Sequence, residues 1–321
     1  MDEPVNDGTI EDQKDAGDLD GIFERLKGHC IEDLSKTAAW RKMAREDYAF
    51  ESGDQWSEED KSKLREELRP IITMNRIAPI IDSVAGSEVS NRQEVKYLPR
   101  SEGDVQVNEV LTSAAKWFRD ECDAEDEESD SFRDALICGM GWTETRLDYE
   151  DDPDGKPLID RVDPLEMVWD SSARKKNLAD KRRVFHIRRD IPIEEARALC
   201  PNDDFEDADY NATWVNTELD DKEKHENDGK YYDKQDVNDE DESKSEKRVT
   251  LVRAQWYERE PIWRVMNPQD PSQIVSLTKD EHNALQTAAK EAGVPPLKSV
   301  KTTRKVYKQA YLGRVLLEIG E

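Results

Sequence analysis

Between Arg69 and Ala173 the chain spells out helix, helix, hairpin and then an apolar strand ending in Val168-Trp169-Asp170. Hydrophobic periodicity there changes from the helical spacing to the two-residue alternation of strands. Such an order admits one broad class, α+β, with amphipathic helices packed beside antiparallel β-sheet. The most regular element starts at Asp104, where Val107, Leu111, Ala114, Phe118 and Cys122 form one apolar stripe. Ahead of it, a helix over Asn75 to Asn91 carries Ile77, Ile80, Ile81, Val84 and Ala85 on its apolar face. Pro79 either begins the regular part of that helix or kinks it, because proline has no backbone donor. Val95 to Leu98 reads as a short strand ended by Pro99.

After the acidic run Asp123 to Asp130, helical spacing resumes with Phe132, Ala135 and Leu136 and stops at Gly139, a residue suited to the left-handed position past a helix end. Trp142 to Tyr149 and Leu158 to Val162 follow as a hairpin closed by a polar loop containing Asp154-Gly155.

This core, residues 70–201, also holds a strand at Arg183 to Arg189 and a short helix at Ile193 to Cys200 stopped by Pro201. Upstream, residues 1–20 are too acidic and too poor in apolar side chains to offset their ordering entropy, and are expected to form a disordered arm. A helical segment fills 21–69, with Ile22, Leu26, Cys30 and Leu34 at fours, a break at Gly53-Asp54-Gln55-Trp56, and a charged helix starting at Ser57 with Asp60 in capping position. Downstream, 202–247 turns abruptly to Asp, Glu, Asn, Lys and Ser and is expected to be a long acidic loop. Residues 248–321 return to a β-rich segment: strands at Val249 to Tyr257, Ile262 to Met266, Ser299 to Ala310 and Arg314 to Ile319, with a helix between Leu277 and Ala292.

Composition limits the partners. Of 321 residues, 35% are hydrophobic and 38% charged, the mean hydropathy is −0.96 and the net charge is −27, so the packed core is small for the length. A surface this acidic does not bind nucleic acid over its whole area, because that affinity comes from Lys and Arg releasing phosphate counterions. Local basic patches are not excluded. Cys30, Cys122, Cys138 and Cys200 stand far apart with no CxxC, as expected for reduced thiols in a bacterial cytosol. No apolar run approaches the roughly 18 to 20 residues of a membrane span, and the acidic start is unlike a secretory signal.

No pattern of residues calls for catalysis or a cofactor. Glu150-Asp151-Asp152-Pro153-Asp154-Gly155 resembles a calcium loop, but its first position is Glu and its twelfth is Arg161, so it reads as a solvated turn. Gly139-Met140-Gly141 follows a helix and leads into a strand, the reverse of a dinucleotide fingerprint, and no GxxxxGK[ST] occurs. His29, His186, His225 and His282 are scattered and lack metal-ligand spacing. Asn211-Ala212-Thr213 matches a glycosylation triplet without an export route to use it.

Two basic clusters stand out. One comprises Arg174, Lys175, Lys176, Lys181, Arg182, Arg183, Arg188 and Arg189, the other Lys298, Lys301, Arg304, Lys305, Lys308 and Arg314. Neutralisation of acids within the protein or across a subunit interface is the favoured reading, with DNA contact second. The contact candidates are Arg174, Lys175, Lys176, Arg182, Arg183, Lys298, Lys301, Arg304, Lys305 and Lys308.

A series of short pieces resembles the portal proteins of short-tailed, podovirus-type bacteriophages. In order they are Gly53-Asp54-Gln55-Trp56, Arg69-Pro70, Asn75-Arg76-Ile77-Ala78-Pro79-Ile80, Asn91-Arg92, Tyr97-Leu98-Pro99-Arg100, the helix from Asp104, and Gly139-Met140-Gly141-Trp142. Asp163-Pro164, Val168-Trp169-Asp170, Arg183-Val184-Phe185-His186, Tyr257-Glu258-Arg259, Arg304-Lys305-Val306-Tyr307 and Leu312 to Leu317 continue the series. The pieces are individually unspecific, and their order carries the resemblance, which spans most of positions 22 to 319.

The resemblance implies a wing-like α+β fold and a structural, non-enzymatic role. The complete protein would form a ring, a dodecamer at one capsid vertex, through which double-stranded DNA is packaged and later ejected. The terminase large subunit would supply the motor, with capsid or scaffolding proteins and tail adaptors as further partners, no membrane, and a place in the virion after assembly in the host cytoplasm. Portal proteins are longer and continue into stem, clip and crown, so this chain is expected to be the outer wing portion, either a fragment or a truncated prophage gene. Two readings from other classes stand beside it: a small acidic adaptor protein that recruits basic partners through its linker, and a metal-dependent hydrolase built on the carboxylates.

Overall fold

Helix α1 (Glu11–Ser52) opens the computed structural model, which describes residues 11–92, 95–99, 105–149, 153–201, 204–215, 247–266, 274–291 and 299–320. It starts inside the segment expected to be disordered, ahead of the Ile22 start suggested by apolar spacing. That spacing marks the stretch that packs, with Phe23, Leu26, Cys30 and Leu34 buried. The first ten residues lie outside the described ones.

The chain divides into two compact units, one of residues 34–167 and one made of 1–33 together with 168–321. In the helical unit, the end of α1 is followed by α2 (Glu58–Glu66), α3 (Ile77–Ser90), α4 (Val105–Glu121), α5 (Ala124–Cys138) and a hairpin of β1 (Trp142–Asp148) and β2 (Lys156–Val162). Ser57 caps α2 as expected, its Oγ accepting from the Asp60 amide at 3.1 Å. The Asp60 carboxylate returns to that hydroxyl at 2.7 Å, being short for the full capping box. Pro79 sits in the first turn of α3, where its missing donor costs nothing, and Asn75 Oδ1 accepts from the Ile77 and Ala78 amides just ahead of it. Gly139 ends α5 at φ +80°, its amide donating to the Ala135 carbonyl. No ladder forms over 95–99, so the short strand expected at Val95 to Leu98 is not one; it has no paired neighbour.

Helix α5 is the hub of this unit, touching β1, β2, α3 and α4. A polar network lies at its end. Arg161 lays its guanidinium fork on Asp134, Nε to Oδ2 at 2.5 Å and Nη2 to Oδ1 at 2.8 Å, and the Tyr48 hydroxyl donates to Oδ1 at 2.8 Å. Burial and the neighbouring Asp134 carboxylate push the Tyr48 hydroxyl well above its usual range, so it stays a donor. Arg41 donates to the Leu165 and Met167 carbonyls, both at 2.5 Å. Buried charges satisfied in this way define a unique packing more than they add stability.

The sheet unit is built on β3 (Met167–Trp169), which begins one residue before the division, β4 (Arg183–Pro192), β5 (Arg248–Met266), β6 (Ile274–Leu277), β7 (Ser299–Leu312) and β8 (Leu316–Gly320). The order is β3-β4-β5-β7-β8, with β6 also pairing β5. Helices α6 (Ile193–Leu199) and α7 (Lys279–Glu291) complete the unit. Val184, Phe185, His186 and Ile187 are all buried, so β4 is covered on both faces and shows no alternation in its sequence. Leu251, Val252 and Leu312 join them in the core.

Strand β5 runs unbroken through Pro261, where two strands were expected. Its pairing with β4 ends at Trp256 and that with β6 begins at Trp263, so Pro261 lies where β5 has β7 alone beside it. Residues 204–215 also depart from expectation. Rather than belonging to the acidic loop, they pack on the sheet, with Tyr210, Ala212 and Val215 buried, the Ala212 amide donating to the Thr250 carbonyl at 2.8 Å and Trp214 Nε1 donating to Gly313 O at 2.8 Å. A few apolar anchors within a charged stretch were enough. The remainder of that expected loop, 202–203 and 216–246, lies outside the described residues. The β4–β5 pairing puts the strands on either side of it into one sheet, so the boundary read at 202–247 divides the sequence and not the fold.

Candidate nucleic-acid and subunit interfaces

The first basic cluster is split by its own hydrogen bonds. Arg183 turns inward: its guanidinium, largely buried, donates Nε to Asp33 Oδ2 at 2.6 Å and Nη2 to Asp33 Oδ1 at 3.0 Å, with Asp170 Oδ1 3.7 Å away. It is an internal counter-ion and is not offered to a polyanion. Asp170 is organised by the same turn, accepting from the Ser172 amide and hydroxyl and from the Arg182 amide. Burial alone would raise the Asp170 carboxyl, but these bonds and Arg183 outweigh it and hold the carboxyl below its usual range. Arg174, Lys175, Lys176 and Arg182 are exposed on the turn leading into β4, where Asp180 accepts from the Arg174 and Lys175 amides. Arg188 pairs with Glu195.

The second cluster lies on β7, and strand alternation deals it onto two faces. Register pairs Trp256 with Lys308, Glu258 with Val306 and Glu260 with Arg304 on one face. There the cations meet carboxylates: Lys308 Nζ to Glu258 Oε2 at 3.2 Å, Arg304 Nη2 to Glu260 Oε2 at 3.7 Å, and Arg25 of α1 to Glu258 Oε1 at 3.0 Å. Burial would raise the Glu258 carboxyl, yet its bonds to Trp256 and Lys308, with Arg25 nearby, keep it below the usual range.

On the opposite face the pairs are Tyr257 with Tyr307, Arg259 with Lys305, Pro261 with Thr303, Trp263 with Lys301 and Val265 with Ser299. None of these ten is acidic. Lys305 lies over the Tyr257 ring at 4.1 Å, Arg259 over the same ring at 5.9 Å, and Lys301 over Trp263 at 5.5 Å. His282 of α7 stacks on Trp263 at 5.2 Å and 16° and meets Ser299 Oγ at 2.9 Å. Tyr307 is 67% exposed. The sequence singled out Lys301 and Lys305 but missed Tyr257, Arg259, Trp263, His282 and Tyr307, for which the signal was the two-residue alternation along β5 and β7. The sheet also joins the clusters, since Arg183 pairs with Trp256 and the Arg182 carbonyl accepts from the Tyr257 amide at 3.2 Å. Lys298 lies outside the described residues.

The helical unit presents a different kind of surface. Neither α3 nor α4 buries a single residue. Of the α4 stripe read from sequence, Cys122 just past the helix is buried and Phe118 packs against Cys122, Ala124 and Ile159. Val107, Val110, Leu111 and Trp117 remain exposed, Val110 at 68% and Trp117 at 60%. On α3, Ile77, Ile80 and Val84 do the same at i, i+3 and i+7. Around them Arg92 bridges Glu125 and Asp126, and Arg119 grips Glu128 with both nitrogens.

Among the described residues no group of three His, Cys, Asp or Glu is placed to hold a metal ion, which leaves a metal-dependent hydrolase no such cluster to rest on there. The acidic turn starting at Glu150 is outside them for its first three residues. All four cysteines are buried thiols outside any disulfide, and burial, with Glu318 beside it, pushes the Cys200 thiol up to about 12. No described helix is long and apolar enough to cross a membrane.

Comparison with known proteins agrees with the order of motifs. Residues 27–321 match the phage P22-like portal protein family. A portal protein of Helicobacter pylori bacteriophage KHP30 is 22% identical over 177 residues, which are 55% of this chain and 29% of that protein. The chain thus aligns with less than a third of that relative's length. With antiparallel sheet, amphipathic helices and the matched span together, the chain belongs to the phage P22-like portal protein family.

Proposed function

We propose that this chain is a subunit of the ring at one capsid vertex, a dodecamer through which double-stranded DNA is packaged and ejected. Terminase supplies the motor, capsid or scaffolding proteins and tail adaptors bind the ring, and the assembly, made in the host cytoplasm, ends in the virion. The role is structural, with no bond made or broken by these residues. The observation that carries this reading is the apolar surface of α3 and α4, with Ile77, Ile80, Val84, Val107, Val110 and Trp117 left open in the single chain. Contiguous exposed apolar area is a mark of a surface that another protein covers. In a ring each subunit meets two copies of itself through heterologous contacts that close by rotation, and such stripes supply the apolar core of one contact. The net charge of −27 suits a conduit, since an acidic wall does not hold DNA by counterion release.

Electron microscopy and native mass spectrometry of the complete gene product test this. Closed rings of twelve subunits with an open centre are expected, and Val110→Asp with Trp117→Asp shifts the population to monomers. A product that remains monomeric at every concentration contradicts the reading.

A further inference from the structure

One face of the β5–β7 ribbon places cations over aromatic rings, whereas its opposite face places them against carboxylates. Arg259, Lys301 and Lys305 lie over Tyr257 and Trp263, and none of the ten ribbon positions on that face is Asp or Glu. The difference is physical. A carboxylate cancels a cation's charge, whereas a ring quadrupole holds the side chain in place and leaves its full positive charge projecting outward. The opposite face shows the cancelled case, with Lys308 and Arg304 against Glu258 and Glu260. Helix α1 reaches that opposite face through Arg25 and Asp33, and α7 covers one end of the aromatic face through His282 on Trp263, which leaves Arg259, Lys301, Lys305 and Tyr307 exposed along it.

We infer that this ribbon face is a contact surface for duplex DNA, gripping the phosphate backbone through Arg259, Lys301 and Lys305 with Tyr307 as an exposed flank. Between Trp256 and Trp263 only β7 flanks β5, and a two-stranded ribbon is of a size the major groove admits, with Lys301 at the end where β6 joins. Lys305 and Lys301 are four residues apart on β7, about 13 Å at strand rise, and a duplex offers one phosphate charge per roughly 1.7 Å of axis. Every cation on the face therefore finds a phosphate without the ribbon bending. Arrangement over the rings lowers the ordering cost of each contact. The chain's net negative charge opposes wider contact with the duplex, which keeps the grip of so few cations reversible. The choice of DNA over another polyanion rests on the conduit reading, but the contact itself needs no ring.

The test is therefore made on the chain as it stands, by fluorescence anisotropy with a labelled mixed-sequence duplex of about 20 base pairs, titrated from low to moderate salt, with native mass spectrometry recording assembly separately. Binding is expected to weaken with a log–log salt slope of about −3, one for each cation. Lys301→Glu with Lys305→Glu weakens binding at least tenfold and takes about two from the slope, and the pair changed to Gln falls between. Lys42→Glu with Lys63→Glu, the same change of net charge placed on α1 and α2, leaves affinity within about twofold. Unchanged melting temperatures show that each variant is folded. Absence of duplex binding at low salt, equal losses for the two charge reversals, or tighter binding of a poly-glutamate peptide than of the duplex each overturns the inference, the last by naming an acidic protein segment as the partner. Loss of rings with the DNA contact intact counts against the proposed function alone.

Discussion

The sheet unit and the helical unit solve the same problem in opposite ways. In the sheet unit, Phe185, Ile187, Leu251, Val252 and Leu312 are wholly buried and form a core within the chain. In the helical unit, α3 and α4 bury no residue, and Trp117, Val110 and Ile80 stay open. One unit is stable through its own packing. On the proposed function, the other completes its packing against a second copy of the chain. With only 35% hydrophobic residues, the chain gathers buried apolar side chains in small clusters, the larger on the sheet and a smaller one at the end of α4.

The largest effect that would break this contrast is in the sheet core. Phe185→Ala is expected to cost about 3 to 5 kcal/mol of unfolding free energy in urea titrations, and a loss under about 1 kcal/mol would mean that the core is not where the fold is held. Gly313→Ala comes next. A Cβ there would lie 2.1 Å from the Asp209 carbonyl oxygen, against backbone that cannot turn aside, so about 1 to 3 kcal/mol is expected from thermal unfolding.

Asp170→Asn, of similar size at about 1 to 3 kcal/mol, adds a pH signature. The folded carboxyl sits below its unfolded value, which is about 3.9. Its stabilisation is therefore fully present above about pH 4 and is lost as pH falls through the folded value. The stability gap between wild type and variant should narrow in more acidic buffer, and a gap independent of pH would contradict the assignment. Smallest of all is Val110→Ala on α4, within about 0.5 kcal/mol for the single chain, while self-association of the complete product weakens. A large stability loss there would show that α4 is already covered within one chain.

Much of this fold was legible because periodicity is a local signal. The hairpin, α4, α5 with its Gly139 stop, β4 and α6 all lie close to where spacing put them. The failures share a cause in tertiary context. Val249 to Tyr257 and Ile262 to Met266 were expected as two strands, but β5 runs as one through Pro261, where the ends of the β4 and β6 pairings leave a single neighbour and proline is tolerated. Tyr210, Ala212 and Val215 were too few to signal order in an acidic stretch, yet each finds a place against the sheet. The α4 stripe was visible, but periodicity cannot tell a face buried in the chain from one kept for a partner.

The basic clusters show the same limit. Proximity in sequence joined Lys301, Arg304, Lys305 and Lys308, whereas the strand places 301 and 305 on one face and 304 and 308 on the other. Arg183 stood among the contact candidates, with neutralisation inside the protein the favoured reading; it pairs with Asp33, 150 residues away, a partner that sequence spacing could not name.

The central claim is that the open faces of α3 and α4 are covered when copies of the chain assemble. Hydroxyl-radical footprinting of Trp117, read by mass spectrometry in assembled and dissociated forms of the complete gene product, tests it most directly. Strong protection of Trp117 in the assembly, with Tyr149 as an exposed reference in both forms, is the predicted result; equal oxidation of Trp117 in both forms would contradict it.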